Sequence, residues 1–395
     1  MATTAVARLS APRVRLYAAV FLTIQCIYLA ISVFRYYGLA DRAAPMVGAD
    51  FVIFWSAARV ALEHGAPAVF SPHWMRPMES ALWRHDSFAP WPYPPTFLLA
   101  VIPFGLLSFG GALLAFLGIG IAAYGAMLSR IVRQAGSGAF LLMIAFPGVA
   151  VAIVTGQNSL LTAAAAGVAL VLLPSSPLLA GACIAVLAIK PQFGVLFPVA
   201  LICARQWRAL LSAGLCSLAI AGVSAVAFGR ETWGAFATFL PEFNRIAVEH
   251  GRELWGGMPT VFAAARLAGL PVGAAYVAYA IVALPAAIAM VWVWIRDVRF
   301  ELRAAALVVA TLLVQPYFMY YDLAWLALPI AFVLRDAERV ALSRADWVVL
   351  AVAWLTPAAA YFAFRFDTPV QVTPVVLIGL LVVIVRRAMT SRGIG

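Results

Sequence analysis

Apolar runs recur along most of this chain, separated by short polar breaks. They fall at about 16–34, 96–107, 111–128, 139–154, 159–173, 178–189, 192–203, 209–227, 272–295, 304–316, 323–334, 347–364 and 374–385. A bilayer core about 30 Å thick takes about 20 residues of helix to cross. The runs therefore predict an all-α, polytopic transmembrane bundle of about 12 or 13 membrane helices, forming a single domain over residues 1–395. Several runs fall below the roughly 17 residues of a full crossing. Short helices at membrane depth are tolerated where they are enclosed by protein or line a cavity, so they predict an enclosed site.

Two segments interrupt the runs. The first, about 35–95, follows the first span and holds His64, His73 and His85. It contains two helix-like stretches, about Asp50–His64 and Pro72–His85. Phe51, Phe54, Trp55, Ala58 and Leu62 recur at roughly helical spacing, which suits a helix lying in the membrane interface. The segment closes on Trp91-Pro92-Tyr93-Pro94-Pro95, whose prolines force an extended entry into the next helix. The second segment, about 228–259, carries Arg230, Glu231, Glu242, Arg245, Glu249, His250, Arg252 and Glu253.

Composition agrees with a bilayer as solvent: 65% of residues are hydrophobic and 11% charged, with a mean hydropathy of +0.98. The net charge of +11 forms no patch that would bind nucleic acid. Its arginines stand in small groups between apolar runs, and the positive-inside rule places those groups in the cytoplasm. Arg130/Arg133, Arg205/Arg208, Arg296/Arg299/Arg303, Arg335/Arg339/Arg344 and Arg386/Arg387/Arg392 can all lie there together. The N-terminus, with Arg8, Arg13 and Arg15, is then cytoplasmic ahead of an uncleaved first span. The segments near Asp50, Gln157, 230–255 and 317–322 fall on the outer side, at an inner (plasma) membrane of bacterial type. Cys26, Cys183, Cys203 and Cys216 show no CxxC spacing and read as apolar packing residues. No Walker loop, GxGxxG after a strand, HExxH or DxD is present, so neither a cofactor nor a metal is expected.

Ionisable residues at membrane depth are costly and are functional candidates by default. Asp50, in Gly48-Ala49-Asp50-Phe51, is placed to cap a helix or to face a pocket, and the two roles are compatible. Lys190, the only lysine in the chain, lies between two apolar runs, either as a phosphate-binding point charge or as a snorkelling interfacial residue. Thr155-Gly156-Gln157-Asn158-Ser159 is a polar turn that offers amides to sugar hydroxyls or simply caps the next helix with Asn158. Pro316 to Asp322 brings Tyr317, Tyr320, Tyr321 and Asp322 to a membrane boundary, where Asp322 can also serve as a cap. Arg230 or Arg252 can contact a phosphate.

The order of these motifs, with Met258-Pro259-Thr260 between the last two, resembles glycosyltransferase family 87. That family is of the polyprenyl-phosphate-mannose-dependent mannosyltransferase type, with a GT-C fold. The resemblance implies that Asp50 is the general base. It also implies a hexose, mannose-like, β-linked to polyprenyl phosphate as donor, a lipid or glycan acceptor, and inversion at the transferred carbon. Lys190 and Arg230 would contact the donor phosphate; Tyr93, Gln157, Asn158, Tyr321 and Asp322 would shape the sugar and acceptor pocket. One departure is that Tyr320-Tyr321-Asp322 stands where some members carry a Trp/His-containing stretch, which bears on the identity of sugar and acceptor more than on the transfer chemistry. The alternatives are a polytopic transporter or lipid flippase, which also uses broken helices, and an assembly protein without catalysis.

Overall fold

The structure is a computed structural model that describes residues 12–83, 88–132, 136–368 and 371–390. His85, Arg8, Arg133 and Arg392 of the sequence reading lie outside the described residues. Every regular element among the described residues is helical. Each predicted apolar run lands on a helix, and the bundle is that of a multi-pass membrane protein.

Among the described residues, seven helices are long and apolar enough to cross a membrane: Pro12–Gly38, Phe109–Val132, Gly138–Thr155, Trp207–Phe228, Val272–Trp294, Arg344–Arg365 and Thr373–Thr390. Pro95–Gly105, Ser159–Leu172, Pro177–Ile189 and Pro191–Cys203 are shorter. So are Phe300–Leu313 and the continuous run of Tyr320–Leu326 and Ala327–Asp336. Two of these short elements are enclosed by protein on nearly all sides. Within Phe300–Leu313, all residues but Phe300 and Arg303 are buried, as are all of Ala327–Asp336 except Arg335. They form the centre, and long helices such as Trp207–Phe228 turn leucines outward towards lipid. Burying a helix on all sides removes any need for it to match the bilayer thickness.

The first outer segment folds into the helices Phe51–His64 and Pro72–Trp83; His85, the predicted end of the second, lies outside the described residues. Phe51, Phe54, Ala57 and Ala58 are buried against Pro95–Gly105 and Phe109–Val132. Gly105 permits this close approach: a Cβ there would lie 2.9 Å from that of Ala58. The segment is therefore a packed floor over the helices rather than a loose loop. The second outer segment supplies the helix Arg230–Phe243, whose Phe236 and Phe239 pack on Phe70 of the first.

Arginines cluster at one end. Arg299 and Arg387 both pair with the fully buried Asp336, Arg386 and Arg387 with Asp346, and Arg335 and Arg339 with Glu301. Asp322 and Asp336 lie on one continuous helical run, on the order of 20 Å of rise apart. The arginine network and the polar residues around Asp322 thus occupy opposite ends of the bundle.

Candidate active site

Two glycines bring the first outer segment onto the polar turn at 155–159. Gly48 and Gly156 both have left-handed backbones, φ +86° and +73°. A Cβ on Gly156 would lie 2.7 Å from the Cα of Gly48, so only glycine allows the contact. Across it the Gly48 N–H donates to Val154 O at 2.9 Å and the Asp50 N–H to Thr155 O at 2.7 Å. This pairing fixes Asp50 beside Gln157.

Asp50 occupies the position before the Phe51–His64 helix, but its carboxylate does not cap that helix. It accepts instead from Gln157 Nε2 at 2.9 Å. The cap reading of Asp50 is corrected here. Although Asp50 keeps some accessible surface, it is surrounded by protein on the scale that sets ion solvation. That burial pushes its pKa up to about 6. The negative charge of Asp322 adds to the rise, while the Gln157 hydrogen bond and the Lys190 charge oppose it. Gln157 Oε1 accepts from the Tyr93 hydroxyl at 3.3 Å. The extended Trp91–Pro94 entry delivers Tyr93 to this place, with Phe54, Trp91 and Phe97 packed around its ring.

Lys190 breaks its helical run because Pro191 bars the residue before it from the α region. Its Nζ donates to Asp322 Oδ1 at 2.6 Å. The pair is buried, with the aromatic rings of Tyr321 and Phe193 5.2 and 5.5 Å from the ammonium. The Ser159 hydroxyl donates to the same Oδ1 at 2.8 Å, and Met319 N–H faces Oδ2 at 3.4 Å. Asp322 therefore both closes its own turn and binds the lysine. The snorkelling reading of Lys190 is corrected: its ammonium points inward.

Asn158 does not cap its helix either. It is buried, and both polar atoms of its side chain lack a partner. Arg230 is not brought to this cluster: its side chain is 95% exposed and faces Glu231 at 3.3 Å. Arg252 is also exposed. Sequence reading singled out Asp50, Tyr93, Gln157, Lys190, Tyr321 and Asp322 separately. It missed that Lys190 and Asp322 pair, and that Ser159 joins them; 132 residues separate the pair and no local signal links them.

Two cavities flank the cluster. One, of about 550 Å³, is lined by Tyr93, Lys190, Gln192, Asn244, Gln315 and Tyr317 under the helix Arg230–Phe243. The other, of about 350 Å³, lies among Pro95–Gly105, Phe109–Val132 and Ser159–Leu172 and is lined also by Gln157 and Asn158.

No curated protein sequence and no solved structure gives a match. A family model, glycosyltransferase family 87, matches residues 91–316, from Trp91 through Gln157 and Lys190 to Pro316. Asp50 and Asp322 lie outside the matched residues, joined to them by the hydrogen bonds above. With more than half of its length under that match, on a multi-pass helical bundle, this chain belongs to glycosyltransferase family 87 and is a membrane glycosyltransferase.

Proposed function

We propose that the enzyme moves a hexose, mannose-like, from a polyprenyl-phosphate carrier to a lipid or glycan acceptor on the outer face of the inner membrane, with inversion and with Asp50 as general base. The observation that carries this reading is the carboxylate of Asp50, free of any capping role and oriented by Gln157 beside a buried cation. The acceptor O–H gives its proton to Asp50 as the acceptor oxygen bonds to the sugar's anomeric carbon. The bond from that carbon to the phosphate oxygen breaks, and its electron pair leaves with the carrier phosphate. A base poised near neutrality suits the proton transfer, and a fixed ammonium suits the growing charge on the phosphate.

Lys190 is the cation of the cluster, and a sugar phosphodiester brings one negative charge to it. Tyr93 and Tyr321 wall the sugar. Arg230, exposed and distant from the pair, has no part in this scheme. The arginine network at the opposite end supports an outward-facing site, because arginine-rich ends stay in the cytoplasm.

The test is transfer of radiolabelled sugar from polyprenyl phosphate to a membrane lipid extract by purified enzyme. Asp50→Asn keeps the shape and the Gln157 contact but removes the base; it should fold and lose about 10²–10⁴-fold in rate. Equal transfer by both proteins would remove Asp50 from the mechanism. Failure of the wild type with every carrier would sink the donor assignment.

A further inference from the structure

We infer that the 350 Å³ cavity among Pro95–Gly105, Phe109–Val132 and Ser159–Leu172 takes the apolar chain of a lipid acceptor, with Asn158 binding hydroxyls of its head group. This rests on the transfer reading above and deepens it by choosing a lipid over a free glycan. The walls are Phe97, Phe104, Phe116, Leu117 and Leu161; Gln157 and Asn158 alone are polar, and they are adjacent in the chain. Its lining also includes the exposed Ala100 and Pro103, on the short helix Pro95–Gly105, and the exposed Ile119 on the membrane-crossing helix Phe109–Val132, and an exposed apolar residue on a membrane-crossing helix faces lipid. A chain can therefore enter sideways from the bilayer and bring its head to the two polar residues.

Asn158 is the observation that calls for a ligand. It is 1% exposed, and its Nδ2 and Oδ1 are both unpartnered. Buried amides are nearly always hydrogen-bonded, and each exception needs an explanation. One donor beside one acceptor matches a hydroxyl or a vicinal pair of hydroxyls. Gln157, the next residue, binds the Asp50 carboxylate at 2.9 Å, so a head group held by Asn158 lies close to the base. The other cavity contains Lys190 and fits the donor phosphate. Tyr93 lines that cavity, Gln157 lines this one, and their 3.3 Å hydrogen bond forms part of the wall between them. An inverting displacement brings nucleophile and leaving group from opposite sides of the anomeric carbon, and two separate cavities provide two approaches.

Photolabelling of the full-length enzyme in nanodiscs tests this. One probe is dodecyl glucoside with a diazirine in its chain; the other is polyprenyl phosphate with a diazirine in its chain. The glucoside should label peptides containing Phe97, Phe116 or Leu161. Gly120→Phe, which fills the cavity, should cut that labelling at least tenfold and leave polyprenyl labelling unchanged. A Cβ at Gly120 meets only Leu160, at 3.6 Å, so the position accepts a side chain. Asn158→Leu should cut glucoside labelling about tenfold while the melting temperature holds or rises, since the substitution removes an unpaired buried amide.

Polyprenyl labelling of these peptides that Gly120→Phe abolishes would give the cavity to the donor and overturn the inference. So would an unlabelled cavity, or an Asn158→Leu protein that melts earlier and labels as before. Labelling is read without turnover. A cavity that labels as expected in a protein that transfers no sugar sinks the transfer reading and keeps the glycolipid site; transfer with an unlabelled cavity does the reverse.

Discussion

Asp50 answers two opposed demands. A base must be ionised to accept a proton, yet it must sit where water does not compete for the reaction. Burial and the charge of Asp322 raise the carboxylate's pKa; the Gln157 amide and the Lys190 charge oppose the rise and leave it at about 6. The sign of its pH dependence follows. kcat/KM should be level above pH 6 and fall about tenfold per unit below it, as Asp50 protonates. Gln157→Leu removes a hydrogen bond that favours the ionised form, so the inflection should move up by about one unit. An inflection that stays in place would detach Gln157 from the base.

Among elements, the buried Lys190–Asp322 pair ties the break before Pro191 to the 320–326 turn. Removing one partner leaves an uncompensated charge in the interior. Lys190→Met should cost about 3–5 kcal/mol, and adding Asp322→Leu should restore most of it. Neither protein should transfer sugar, if the ammonium serves the phosphate; thermal melting and the transfer assay separate the two effects. Glu79, on the Pro72–Trp83 helix, is a buried carboxylate that sequence reading passed over. Its Oε2 accepts from Ala89 N–H at 2.9 Å while Oε1 has no partner. Burial pushes its pKa up to about 8, against the pull of the Ala89 hydrogen bond and the Arg76 charge. A raised folded pKa means stability that is full below about 4.5 and lost as pH rises through about 8. Glu79→Gln should flatten the decline in melting temperature between pH 5 and 8.5, and an unchanged slope would contradict the buried neutral acid.

For the whole molecule, the orientation across the membrane decides where the chemistry happens. The exposed His73 lies on the first outer segment, and the exposed Asp297 lies near the arginine network. In a cysteine-free background, His73→Cys should react with an impermeant maleimide on intact cells, and Asp297→Cys only after lysis. The reverse result would put the site in the cytoplasm.

The membrane class, the helix positions and the separate candidates Asp50, Lys190, Gln157 and Asp322 are legible in the one-dimensional order of residues. Hydropathy acts locally along a helix, and a charge inside an apolar run is conspicuous wherever it falls. Which short runs form the buried centre was not legible, because an apolar face looks the same whether lipid or protein covers it. Nor was the site itself: Gly48 against Gly156, Gln157 on Asp50 and Lys190 on Asp322 join positions more than a hundred residues apart. The cap readings of Asp50 and Asn158 were sound local chemistry. Tertiary packing turned one carboxylate to a distant amide and left the other side chain unpaired, since only the folded chain decides which neighbours a polar group will meet.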